Sequence, residues 1–123
     1  MKEISIYILT EDLAKVLEIL KKHNVGGITF YEVNGAGRVA REAVPEMVRS
    51  YMTGKTVTHE HERRTKVETI VSDSEANPIL DEISNSLGQH AENKARGIMF
   101  IKDVSHAHEI GTNQRGEAVL TRE

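Results

Sequence analysis

The sequence predicts an α+β domain on three observations. Some stretches alternate apolar with polar residues, two stretches repeat apolar residues every three or four positions, and the two kinds follow a definite order along 123 residues. A chain of this length can bury one core but not two, so residues 1–123 are expected to form a single domain. Ile4, Ile6 and Ile8 alternate with Ser5 and Tyr7, the period of a strand with one side against a core. Thr10 is expected to cap the next element. Glu11 and Asp12 suit the positive end of a helix dipole, and Leu13, Val16, Leu17 and Leu20 fall at helical spacing, giving a first helix that closes near Asn24. Gly26 and Gly27 release the chain into ITFYEV (28–33), a β-branched and aromatic second strand, before Gly35 and Gly37 interrupt the pattern.

KVETIV (66–71) predicts a third strand. A second helix follows, with Asp73 or Ser74 as cap, Pro78 in its first turn, Ile79, Leu80, Ile83 and Leu87 inward, and Gly88 at its end. IMFI (98–101) reads as a fourth strand, apolar on both sides and therefore expected to be covered on both. The order βαββαβ is the split-βαβ, ferredoxin-like motif, an antiparallel four-stranded sheet with both helices on one face. The other face needs a cover that a small chain does not obviously supply, and self-association is one solution.

Sixteen Lys and Arg against nineteen Asp and Glu give a net charge of -3, which argues against a dedicated nucleic-acid binder. The absence of Cys removes disulfide frameworks, thiolate zinc sites and cysteine nucleophiles, and the default compartment is cytoplasmic. The opening MKEISIYIL turns polar at Thr10, too early for a signal peptide. No stretch approaches the ~18 apolar residues of a membrane span, so no membrane insertion is expected.

Between the second and third strands lie 28 residues, 37–64, where a hairpin of about 2–5 is usual and loops beyond ~12–15 tend to be functional or disordered. Six bases (Arg38, Arg41, Arg49, Lys55, Arg63, Arg64) against four acids (Glu42, Glu46, Glu60, Glu62) make this segment +2. The remaining ten bases and fifteen acids make the rest of the chain -5. Pro45 is placed to open a helical turn in which Val44, Met47, Val48 and Tyr51 share one face. That face either packs on the protein's own body, docks on a partner, or belongs to a disordered segment.

Strand two with its continuation (ITFYEVNGAGR), the long loop, KVETIV, Asp103-Val104 and the tail Arg115-Gly116-Glu117-Ala118-Val119-Leu120 together resemble the nitrogen-regulatory PII signalling family, nearly end to end. The resemblance implies a sensor rather than an enzyme. It implies a homotrimer with nucleotide clefts between subunits, and a long loop (37–64) that reports a small-molecule effector to a target protein such as a transporter or enzyme. Carried over by residue, Thr29, Glu68 and Ile70 would line the adenine and ribose end, and Gly35, Gly37 and Arg38 the phosphate end. The chemistry agrees with that assignment, because glycines let backbone N–H groups approach phosphate and Arg offers a planar fork of donors. Arg41, Met47, Tyr51, Arg63 and Arg64 would belong to the effector and target loop, although Tyr51 lacks the motif around the family's uridylylated Tyr. Residues 105–123 form the C-terminal tail.

The departures from the family pattern are specific. In place of a glycine-rich second phosphate loop stands GQHAENKARG (88–97), with Lys94 and Arg96 as phosphate partners. Where the family has an Arg-x-Arg pair the chain has Glu109-Ile110-Gly111-Thr112, a loss of charge-assisted bonds of ~1.5–3 kcal/mol each. Val39 replaces a metal-holding Gln, and Arg64 replaces the Lys that pairs with the 2-oxoglutarate carboxylate; its alternative reading is an exposed cation at the loop end. Weak binding of an adenine nucleotide is therefore expected, with little preference among AMP, ADP and ATP and no metal. A different anionic effector held by Arg38, Arg64, Lys94 or Arg96 is the other reading.

His59 and His61, and again His106 and His108, are spaced to lie on one side of an extended chain. A trimeric metal-binding protein using these four is the alternative function. Solvated or interface histidines are the simpler account, since a zincin or zinc-finger signature is absent.

Overall fold

A computed structural model describes residues 1–34, 64–88 and 96–120. Strands β1 (Lys2–Leu9), β2 (Thr29–Val33), β3 (Arg64–Val71) and β4 (Gly97–Asp103) form one sheet in the order β2-β3-β1-β4, with every pair antiparallel. Helices α1 (Leu13–Lys22) and α2 (Asp73–Gly88) connect β1 to β2 and β3 to β4, which is the predicted ferredoxin-like arrangement.

The core lies between the helices and one face of the sheet. Ile4, Ile6 and Ile8 of β1 meet Val67 of β3, Val16 and Leu20 of α1, and Ile79 and Ile83 of α2, all essentially without exposure. The pleat decides which residues take part: Ile4, Ile6 and Ile8 stand across from Thr69, Val67 and Thr65 in register, so these positions share a face. Ile19 joins this core, whereas Leu13, Leu80 and Leu87 pack at its margin. Gly97 is required by close approach, because a Cβ there would collide with the Tyr7 carbonyl oxygen and crowd Ile8 Cγ2 at 3.2 Å.

Four local expectations change. Thr10 caps no helix: a 3-10 turn (Thr10–Asp12) precedes α1, and the Thr10 hydroxyl meets that of Thr65 at 2.9 Å instead. Pro78 sits inside α2 rather than in its first turn, since the helix already begins at Asp73, where the carboxylate pairs with the terminal ammonium of Met1 at 2.9 Å. That ammonium holds the Asp73 carboxyl below its ordinary range. Strand three begins two residues earlier than its apolar pattern suggested, because Arg64 and Thr65 complete the ladder with Leu9 and Ile8. Strand four extends to Asp103 and is covered on neither side by this chain as fully as its composition led one to expect. Ile98 is 41%, Phe100 51% and Ile101 38% exposed.

At the ends of the helices, His23 links α1 to α2. Its Nδ1 lies 3.2 Å from Glu75 and its Nε2 2.9 Å from Glu82, while Lys22 donates to Glu82 at 2.9 Å. Beyond β4, a hairpin closes through Glu109 N–H to Gln114 O (2.8 Å) and Gly116 N–H to Ala107 O (2.9 Å), with Gly111 and Asn113 in the left-handed region at its tip. Leu120 is buried, and its carbonyl accepts from Gly26 N–H at 2.9 Å, which ties the tail to the α1–β2 connection.

Candidate functional site

Residues that alternate with the core positions point to the opposite side of the sheet, left uncovered by the two described helices. Ser5 and Tyr7 of β1, Thr29 and Tyr31 of β2, Lys66, Glu68 and Ile70 of β3, and Ile98 and Phe100 of β4 stand there by register. Thr29 is the Cα partner of Glu68, so two of the three candidates for the adenine and ribose end are neighbours across one strand pair. Ile70 follows two residues along the same strand and face.

The centre of this face is a mixed aromatic and charged cluster. Lys66 Nζ lies 2.8 Å from Glu68 Oε1 and sits over the Tyr7 and Tyr31 rings at 5.3 and 5.8 Å from their centroids. The Tyr31 hydroxyl donates to Glu68 Oε1 at 3.1 Å, and Phe100 meets Tyr7 edge-on at 6.0 Å. The hydrogen bond to Glu68 pushes the Lys66 ammonium further up from its ordinary value, with the tyrosine hydroxyls adding to it, and the same Lys66 bond holds the Glu68 carboxyl down. A fixed carboxylate beside a threonine, in a partly apolar surround, can accept from the hydroxyls of a polar ligand.

The other candidates are distributed differently. Arg64 lies in β3 and is only 7% exposed, so it is not the exposed loop-end cation of the alternative reading. Arg96 precedes β4 and is engaged by acids: Nε donates to Asp12 Oδ2 at 3.1 Å, and Nη2 donates to Asp12 Oδ1 at 3.2 Å and to Glu11 Oε1 at 3.1 Å. The bonds to Asp12 come first in raising the Arg96 guanidinium above its ordinary value. A phosphate must displace or join these carboxylates to reach it. Gly35, Gly37, Arg38, Arg41, Met47, Tyr51, Arg63 and Lys94, together with His59 and His61, lie outside the described residues. His108 Nε2 meets Asn113 Oδ1 at 3.1 Å, and among the described residues no group of three or more His, Cys, Asp or Glu is arranged to hold a metal. Glu109 accepts from the Thr112 hydroxyl at 2.6 Å within the hairpin. Among the described residues, no helix is long and apolar enough to cross a membrane.

Sequence reasoning missed Tyr7, Tyr31, Lys66 and Phe100 as parts of one cluster. Alternation alone placed Tyr7 opposite in sense to Ile6 and Ile8, but only strand register brings such positions from all four strands together.

Residues 1–114 match the model of the family described as nitrogen regulatory protein P-II. No curated protein matches the chain.

Proposed function

We infer the function from one premise: the chain belongs to the nitrogen regulatory protein P-II family. Members of that family are trimeric, non-enzymatic regulators that bind adenine nucleotides and act on target proteins. This chain is accordingly a signal-transduction regulator that senses an adenine nucleotide, or another anionic metabolite, at a cleft between copies of itself. The signal passes to a target protein such as a transporter or enzyme through residues 37–64.

The observation that carries this reading is the strand order. β2, which holds Thr29, and β4, which Arg96 precedes, are the two opposite edges of the sheet. Three strand spacings separate them, roughly 14 Å, so one small ligand can touch both only where the edges of two copies approach. The exposed Ile98, Phe100 and Tyr31 on the uncovered face support the same conclusion, because association would remove that apolar surface from water. The 2-oxoglutarate linkage is not part of the proposal, since Val39 offers no metal ligand and Glu109 stands where the family carries a phosphate-facing Arg.

Titration calorimetry with AMP, ADP and ATP, with and without Mg²⁺ and 2-oxoglutarate, tests the ligand. The expected outcome is weak binding with affinities within about tenfold of one another, lowered by Arg38→Ala. Submicromolar ATP binding that strengthens with 2-oxoglutarate would sink this reading.

A further inference from the structure

Among the described residues, two side chains bond the Glu68 carboxylate, and both reach the same oxygen. Lys66 Nζ lies 2.8 Å and the Tyr31 hydroxyl 3.1 Å from Oε1. Lys66 is itself placed by the rings of Tyr7 and Tyr31, which flank its ammonium at 5.3 and 5.8 Å. Thr29, assigned with Glu68 to the adenine and ribose end in the nucleotide reading, stands directly across the strand pair from it.

We propose that Tyr31 and Lys66 are positioning residues that clamp Glu68 through Oε1 and so present Oε2 to a hydroxyl of the bound sugar, making the cleft select ribonucleotides over their deoxy analogues. The inference rests on the nucleotide reading above. An ionised carboxylate accepts hydrogen bonds only, so it rewards a ribose hydroxyl and repels a phosphate. With one oxygen fixed by two donors, the carboxylate loses most of its rotational freedom before ligand arrives, and the second oxygen is held in one direction. Tyr31 supplies this hold from the edge strand and Lys66 from the neighbouring strand, so the clamp spans the β2–β3 pair on which Thr29 also lies.

Calorimetry with ADP and 2′,3′-dideoxy-ADP on the wild type, Tyr31→Phe and Lys66→Met tests the clamp. The wild type should prefer ADP by about tenfold, the worth of one charge-assisted hydrogen bond. Tyr31→Phe, which removes a single oxygen from a side chain that is 43% exposed and should leave thermal unfolding unchanged, should lose most of that preference by weakening ADP while leaving the dideoxy nucleotide as before. Equal binding of the two nucleotides by the wild type, or equal weakening of both in Tyr31→Phe, would overturn the clamp while the nucleotide site stands. Failure of the wild type to bind either would overturn the clamp and the nucleotide reading together.

Discussion

The two faces of this sheet are built from the same strands and end in opposite conditions. On one, Ile4, Ile6, Ile8 and Val67 lie under the helices with essentially no exposure, and their contribution is hydrophobic burial within one chain. On the other, one residue further along each strand, Tyr7, Tyr31, Lys66, Glu68 and Phe100 form a cluster of rings and charges that neither described helix covers. The first face is buried within one chain, with no partner needed to cover it. The second holds polar groups in fixed geometry beside exposed apolar surface, the combination needed for a ligand and a neighbouring copy.

The sharpest separation should come from the buried face. Ile79→Ala removes a fully buried side chain between α2 and the sheet, and should cost about 2–5 kcal/mol of unfolding free energy in denaturant titrations. A loss below about 1 kcal/mol would mean that the helices contribute far less to the fold than their burial indicates.

The uncovered face should respond in assembly rather than in folding. Phe100→Glu places a charge on the exposed half of β4, and light scattering should fall from about three chain masses to one of 13.8 kDa. Circular dichroism and the unfolding midpoint measured at low concentration should hardly change. If Phe100→Glu instead unfolds the chain as Ile79→Ala does, the two faces do not divide their roles in this way.

The smallest effect concerns charge at the outer rim of the helix layer. Glu82 is held below the ordinary carboxylate range, first by Lys22 and then by His23. A lowered folded-state value means that its stabilisation is complete above the unfolded-state value of about 4.3 and is lost as pH falls through the lower folded-state value. Glu82→Gln should therefore lower the melting temperature slightly at neutral pH and flatten its decline between about pH 5 and pH 3. An unchanged acid slope would show that the α1–α2 link carries no pH-dependent stability.

Much of the fold was legible because periodicity is a local property. Ile4-Ser5-Ile6-Tyr7-Ile8 announces a strand, and the spacing of Val16 and Leu20 announces a helix, before any partner is known. Helix starts were less legible: Thr10 has the chemistry of a cap, yet its hydroxyl meets Thr65, and only the approach of β3 offers that competing partner. Pro78 was misplaced for a related reason, since the terminal ammonium of Met1 gives Asp73 an ion-pair partner at the head of the helix.

The sequence by itself determined the element types, their order, the composition of the core face and the resemblance in NGAGR and KVETIV, because each depends on residues close together along the chain. Tertiary structure alone decided that Thr29 stands across from Glu68, that Lys66 lies between two tyrosines, and that Arg96 is engaged by Asp12 and Glu11. These contacts join residues from 35 positions apart in the chain (Tyr31 and Lys66) to 85 (Glu11 and Arg96). Register fixes them, and register is set jointly by every strand that pairs, so no local pattern specifies it.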